Sequence, residues 1–84
     1  MMDSTEQRRR IRARLVALSG RPDLRDDDDI FAMGLLSSLF ALRLVEAIER
    51  EFSVAVADED LNVANFRSVA SIAQLVSRML EIHG

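Results

Sequence analysis

The residues with the clearest potential for chemistry are two adjacent serines, Ser37 and Ser38, at the predicted start of a helix. A serine oxygen becomes an effective nucleophile when a neighbouring base takes its proton. The single histidine, His83, lies at the C-terminal end, and the chain contains no lysine and no cysteine. The sequence therefore offers no base beside the serine, and Ser38 is either a helix cap or a residue to which another enzyme attaches a group.

A helix start suits both roles of Ser38. As a cap, its hydroxyl oxygen accepts a hydrogen bond from a first-turn N–H group, which is worth about 1 kcal/mol. As an attachment point it would carry a phosphodiester, which the free N–H groups and the positive end of the helix dipole stabilise. The lack of a nearby base fits attachment, because an external transferase would supply the catalysis.

The first helix that positions this serine is predicted over about residues 5–18 from apolar residues at helical spacing. Ser4 and Gln7 have the spacing of a capping box, and Gly20 marks the end of the helix. A long loop then runs from Ser19 to Ser37. A loop of this length in a small domain is expected to be functional or packed on the core.

The second helix, predicted over about residues 39–51, has two different faces. Its predicted buried stripe consists of Ala41, Leu44, Val45, Ile48 and Phe52. The opposite face, called the α2 face below, consists of Leu39, Leu42, Arg43, Glu46 and Arg50. Apolar anchors within a charged rim are suited to brief docking by partner enzymes, and Leu39, Leu42, Arg43 and Glu46 are the predicted docking residues. The alternative is solvated surface with incidental leucine exposure.

Two further helices complete the predicted architecture. A short helix spans about residues 58–65 with acids in its first turn. Ser68 caps a final helix whose apolar positions are Val69, Ile72, Leu75, Val76 and Met79. The chain is thus predicted to be one all-α domain over residues 1–84, a small bundle of three main helices plus one short helix.

Charge is unevenly distributed along this chain. Residues 1–22 carry six arginines against two acids, a net charge of +4, whereas residues 23–84 carry five arginines against twelve acids, a net charge of −7. An acidic body argues against nucleic-acid binding, so the arginine cluster between Arg8 and Arg14 is interpreted as a solvated helix face. The run Asp26–Asp29 lacks the alternating spacing of a calcium loop, and no metal site is predicted. No apolar run approaches the roughly 20 residues of a membrane span, and the lack of cysteine suits a reducing cytosol, so we expect a cytoplasmic protein. We also expect it to be a monomer.

The segment from Gly34 to Leu39 and the amphipathic pattern that follows it to Phe52 resemble an acyl carrier protein. The order of helix, long loop, serine-headed helix, short helix and last helix matches that family too. The resemblance implies that Ser38 carries 4′-phosphopantetheine, whose thiol holds an acyl group as a thioester. Two departures are Ser37, where the family has Asp, and Gly34, which lies four rather than three residues before Ser38.

A narrower resemblance covers residues 37–46 and 58–69. These stretches look like stand-alone carriers of unusual small acyl units for polyketide pathways, including glyceryl units elaborated to methoxymalonyl extender units. The stretch Asn65–Ser68 is the stronger half of this resemblance. It also has a structural interpretation, in which Phe66 fills the core and Ser68 caps the last helix.

The resemblance implies a carrier protein and not an enzyme. Its partners would be a phosphopantetheinyl transferase, acyl-loading and acyl-modifying enzymes, and an acyltransferase or synthase that accepts the cargo. The small core and low aromatic content predict that the cargo is sheltered weakly or not at all. The alternatives are an aminoacyl carrier of the nonribosomal peptide or D-alanine type, an unmodified helical interaction module, and a small nucleic-acid binder that uses the first-helix arginines.

Overall fold

The structure is a computed structural model and consists of helices and connecting turns. It describes residues 3–34 and 38–83, of which residues 38, 82 and 83 are described by their backbone alone. The elements in chain order are α1 (Ser4–Ser19), α2 (Ser38–Phe52), a 3₁₀ turn (Asp58–Asp60), α3 (Val63–Phe66) and α4 (Val69–His83). The predicted all-α class, with three main helices and a long first loop, is confirmed. None of the helices within the described ranges is long and apolar enough to cross a membrane.

The core lies where α1 packs against α2 and α4, with α3 packed on α4. Every predicted apolar position of α4 is buried, and so is Phe66 of α3. On α2 the predicted stripe is only partly right, because Leu44, Ile48 and Phe52 are buried but Ala41 and Val45 are half-buried. These two residues face a cleft between α2 and the segment around α3, which no described element fills.

The predicted capping box of α1 is wrong. Asp3 precedes the helix, and its Oδ1 accepts a hydrogen bond from the Glu6 N–H at 2.8 Å. The Gln7 side chain is turned into the bundle, where its Oε1 accepts a hydrogen bond from Ser77 Oγ of α4 at 2.8 Å. A carboxylate is also the better cap electrostatically, because the positive end of the helix dipole favours it. The predicted end at Gly20 is confirmed by its left-handed φ of 71°.

The segment predicted as one short helix over residues 58–65 is instead divided in two. The 3₁₀ turn ends at Asp60, and Asn62 then caps α3 by accepting a hydrogen bond from the Asn65 N–H at 3.1 Å. Asn65 Nδ2 also donates to the Asp60 carbonyl oxygen at 2.9 Å. Asparagine side chains that bond to nearby backbone compete with helical hydrogen bonds, which interrupts the helix here.

The long first loop is packed on the core, as predicted. Leu24 and Ile30 are buried, and two backbone hydrogen bonds of 2.8 Å attach the loop to the start of α4. They run from Ile30 N–H to the Arg67 oxygen and from Ala70 N–H to the Asp26 oxygen. The predicted cap of α4 is also confirmed, because Ser68 Oγ accepts a hydrogen bond from the Ser71 N–H at 3.1 Å.

Candidate functional site

The site is built at the start of α2, of which Ser38 is the first residue. The Ser38 side chain lies outside the described part of the structure, and so does the whole of Ser37. The assignment of the attachment point to Ser38 over Ser37 therefore remains a prediction. The prediction depends on Ser38 lying at the start of a helix. The helix was expected to begin at about Leu39, and it begins one residue earlier, at Ser38.

The turn that delivers the chain to α2 is held by Asp29. Its Oδ1 accepts hydrogen bonds from the N–H groups of Phe31 and Ala32, at 2.9 and 3.2 Å. Its Oδ2 lies 3.6 Å from Arg67 Nε. Gly34 closes the turn with a φ of 73°, a left-handed conformation that side chains disfavour, and its N–H donates to the Phe31 oxygen. The approach to Ser38 is therefore fixed from residue 29 to residue 34 by specific bonds.

The α2 face is exposed as predicted. Leu39 and Leu42 are 60% and 57% exposed, and Arg43, Glu46 and Arg50 are also exposed. The other two acids of this helix are engaged within the bundle. Glu49 Oε2 accepts a hydrogen bond from Val56 N–H, and Glu51 is bound by arginines of α1. The structure thus exposes every predicted docking residue, while their contact with a partner remains a prediction.

A cleft of about 450 Å³ lies beside the α2 face. Eight of its nine lining residues are apolar, and Asn62 is the polar one. The lining residues come from the end of the first loop, from α2 and from the segment around α3: Phe31, Ala41, Leu42, Leu44, Val45, Leu61, Asn62, Val63 and Phe66. Ala41 and Val45 lie one and two turns beyond Ser38 along α2, so the cleft opens close to the predicted attachment point.

The sequence did not indicate this cleft. Leu61 and Val63 form part of its rim and are about half exposed. They were overlooked because they fall in a segment interpreted as one acidic helix. Two apolar residues at i and i+2 fit no single helical face, and that spacing was the available signal.

The α1 arginines have specific partners that the sequence did not reveal, although their side chains remain 39–70% exposed, as the interpretation as a solvated face predicts. Arg8 and Arg12 both contact the Asp26 carboxylate of the loop, Arg8 at 3.5 Å. On the other side of the helix, Arg10 and Arg14 contact Glu51 at the end of α2, at 3.6 and 2.7 Å. Residues four apart on a helix share a face, so the two arginines of each pair contact the same carboxylate.

The remaining arginine of the cluster, Arg9, is paired with Glu6 within α1. The hydrogen bond from Arg9, and then that from Arg10, holds the pKa of Glu6 below its ordinary value. All five guanidinium groups of the cluster thus have a carboxylate partner. This arrangement explains their density without a nucleic acid.

The acidic run of the loop is also structural. Besides Asp26 and Asp29, Asp28 contributes by accepting a hydrogen bond from the Arg25 N–H at 2.8 Å. Within residues 3–34 and 38–83, no group of three or more acids and histidines is arranged to hold a metal ion. The side chain of His83, interpreted as part of the tail, lies outside the description.

The first turn of α2 fits a covalent phosphodiester. It contains no acidic residue that would repel a phosphate, and it lies at the positive end of the helix dipole. A family model described as the phosphopantetheine attachment site matches residues 9–76, which include Ser38. A search of curated proteins found no match.

The family match spans most of the 84 residues, and the chain therefore belongs to the phosphopantetheine attachment site family. It is a carrier protein whose cofactor is covalent 4′-phosphopantetheine. Carriers of this family act together with phosphopantetheinyl transferases and with enzymes that handle acyl groups.

Proposed function

We propose that this protein is an acyl carrier in which Ser38 Oγ bears 4′-phosphopantetheine, whose thiol holds a small acyl group as a thioester. The observation that carries the proposal is the family match across a serine that begins a helix free of first-turn acids. The carrier would be a substrate of its partner enzymes, and tethering would raise the local concentration of the cargo at each docked active site. A cytoplasmic monomer remains the expected state.

Attachment transfers the phosphopantetheine group of coenzyme A to the serine. The Ser38 oxygen would form a bond to the phosphorus of coenzyme A that carries the pantetheine group. The bond from this phosphorus to the second phosphate breaks, and adenosine 3′,5′-bisphosphate leaves. The serine proton passes to a base of the transferase, because the chain has no lysine and its only histidine is His83. The contribution of the carrier would be a serine at the start of α2, followed along that helix by the exposed Leu39 and Leu42.

The first candidate cargo is a glyceryl or methoxymalonyl-type extender unit for polyketide biosynthesis, proposed from residues 37–46 and 58–69. The second of these stretches is described throughout. Within that stretch, Asn65 bonds to the Asp60 carbonyl, Phe66 is buried and Ser68 caps α4. These structural roles account for much of the narrower resemblance. The proposed cargo therefore depends on the general pattern of the two stretches rather than on these three residues.

The cleft favours a second candidate, an apolar acyl chain. A polar glyceryl unit would gain little from contact with an apolar wall. A chain of several methylenes would be stabilised by about 0.8 kcal/mol for each CH₂ group that is buried. The apolar lining and the position one to two turns beyond Ser38 support this cargo. Aminoacyl loading of the nonribosomal peptide or D-alanine type remains an alternative that the cleft does not favour.

The attachment is tested by the intact mass of the protein after incubation with coenzyme A, magnesium and a broad-specificity phosphopantetheinyl transferase. We expect a gain of one phosphopantetheine in the wild type and in Ser37→Ala, and no gain in Ser38→Ala. Circular dichroism of each variant checks that the helices are retained. A gain that persists in Ser38→Ala and disappears in Ser37→Ala would move the site. No gain with two transferases of different specificity would favour an unmodified interaction module.

The cargo is tested on the holo protein by NMR. Octanoyl and glyceryl thioesters are installed in turn, and the amide shifts of Val45, Leu61 and Val63 are compared with those of the unloaded arm. Large changes with octanoyl alone would support an apolar cargo held in the cleft. Unchanged cleft residues with both cargoes would support a carrier that leaves its cargo unsheltered, as the sequence predicted.

A further inference from the structure

The charges of α2 serve two different purposes. Glu49 Oε2 accepts a hydrogen bond from Val56 N–H at 2.9 Å and so fixes the chain after the helix. Glu51 Oε1 accepts one from Arg14 Nε at 2.7 Å and joins α2 to α1. These two carboxylates are committed to contacts within the bundle. They are therefore poorly placed to meet a docking enzyme.

The remaining charges of α2 have no such commitment. Arg43, Glu46 and Arg50 are exposed and form no ion pair with any residue of the described ranges. At 3.6 residues per turn they lie, together with Leu39 and Leu42, within about 100° of the helix circumference. With two arginines and one glutamate, this face has a net charge of +1, although the whole chain has a net charge of −3.

We propose that the α2 face docks on enzymes whose contact patch presents carboxylates beside an apolar depression. The inference rests on the carrier function proposed above and specifies the chemistry of its partners. Leu39 and Leu42, more than half exposed, would be the apolar anchors. Arg43 and Arg50 would each bind a carboxylate, for which the planar guanidinium offers two parallel N–H donors.

The acidic remainder of the chain contributes no residue to the α2 face. Its exposed acids include Asp27 of the first loop, Asp58 and Glu59 of the 3₁₀ turn, and Glu81 of α4. At physiological ionic strength, charges separated by more than about 8 Å are largely screened. Since a docking enzyme would contact Arg43 and Arg50 directly, we expect these contacts to outweigh the net charge of the protein in the charge preference of the face.

The test uses one broad-specificity phosphopantetheinyl transferase in two engineered forms. The exposed residues that surround its carrier-contact surface are glutamates in one form and lysines in the other. The Ser38→Ala carrier is titrated into each form by calorimetry, so that docking is measured apart from transfer. We expect the glutamate form to bind about fivefold more tightly, since exposed ion pairs contribute modestly to affinity.

Two sets of substitutions locate the effect on the carrier. Arg43→Glu combined with Arg50→Glu should reverse the preference, so that the lysine form binds more tightly. Arg21→Glu combined with Arg25→Glu is the matched control, because it changes the net charge equally at two exposed arginines outside α2. The control should retain the preference of the wild-type face.

Several results would overturn the inference. These are equal affinity for the two forms, tighter binding to the lysine form, no measurable binding to either, or a reversal that the control reproduces. Failure of the proposed function would have a different signature, the absence of a phosphopantetheine mass on the wild-type protein with two unaltered transferases of different specificity. The titration reports on docking in either case because it requires no transfer.

Discussion

The side of the bundle that α1 shares with α4 and the side formed by α2 with α3 use their polar and apolar groups in different ways. On the α1 side, five arginines have carboxylate partners, and the buried Gln7 is bonded to Ser77. On the α2 side, two leucines are exposed, three charged residues have no ion pair within the described ranges, and an apolar cleft is open. The first side is organised for stability, and the second retains groups that a partner or a cargo can use.

The largest expected effect separates the two faces of α2 itself. Ile48 is fully buried, so Ile48→Ala should lower the free energy of unfolding of the protein by about 2–5 kcal/mol because it leaves a cavity in the core. Leu42→Ala on the exposed face should change it by less than about 0.5 kcal/mol. Urea unfolding followed by circular dichroism measures both. Similar losses for the two variants would contradict the orientation of α2.

The polar contact between α1 and α4 gives the next effect. Ser77→Ala would leave the buried Gln7 oxygen without its donor, which should cost about 1–3 kcal/mol. Gln74→Ala, at an exposed position of the same helix, is the matched control and should be nearly neutral. Adding Gln7→Leu to Ser77→Ala should restore part of the loss, because both polar partners are then absent. If the double variant is less stable than Ser77→Ala, the contact does not act in this way.

The ion pairs of Asp26 should contribute less. Asp26→Asn removes the carboxylate charge beside Arg8 and Arg12 but keeps the backbone bond to Ala70, so we expect a loss of about 1 kcal/mol at low salt. High salt should reduce the difference from the wild type, because it screens the charges. Asp27→Asn, an exposed neighbour, should have no comparable effect. A loss that is unchanged in 1 M salt would show that it is not electrostatic.

The smallest effect concerns Glu6, which is partly exposed. Its pKa is lower in the folded protein than the ordinary value of 4.5, because Arg9 and then Arg10 stabilise the carboxylate. Its contribution to stability is therefore fully present above that ordinary value and is lost as the pH falls through the folded pKa. An NMR titration of the Glu6 carboxyl group should show a lowered midpoint, and Arg9→Gln should raise it. An unchanged midpoint in Arg9→Gln would exclude the proposed cause.

Local patterns predicted much of this fold. The apolar spacing of α4, its cap at Ser68 and the glycine at the end of α1 are properties of short segments, and the structure confirms each of them. The cap at Asp3 was missed because Asp3 and the adjacent Ser4 are both good capping residues. The division near Asn62 was missed because it depends on side-chain bonds from Asn62 and Asn65 to nearby backbone.

The partners of charged and polar residues could not be predicted in this way. Arg14 and Glu51 are 37 residues apart in the chain, and Gln7 and Ser77 are 70 apart. A sequence periodicity reports which face of a helix is apolar, but not which distant carboxylate lies opposite an arginine. The cleft could not be predicted for the same reason, since its lining residues come from separate segments of the chain. The serine attachment and the docking residues remain predictions to be tested by the experiments above.

The two backbone hydrogen bonds that hold the first loop near the start of α4 also affect the conformational entropy of this loop. Because Asp26 is bonded to Ala70 of α4, and Ile30 to Arg67 just before that helix, the connection behaves as several short spans and not as one long span. The entropy of closing a flexible span grows only slowly with its length. Residues inserted between Gly20 and Leu24 would therefore enlarge one span at little cost. The geometry from Ile30 to Gly34, which leads into α2, would be retained, so length variation in the loop is separated from the position of the serine.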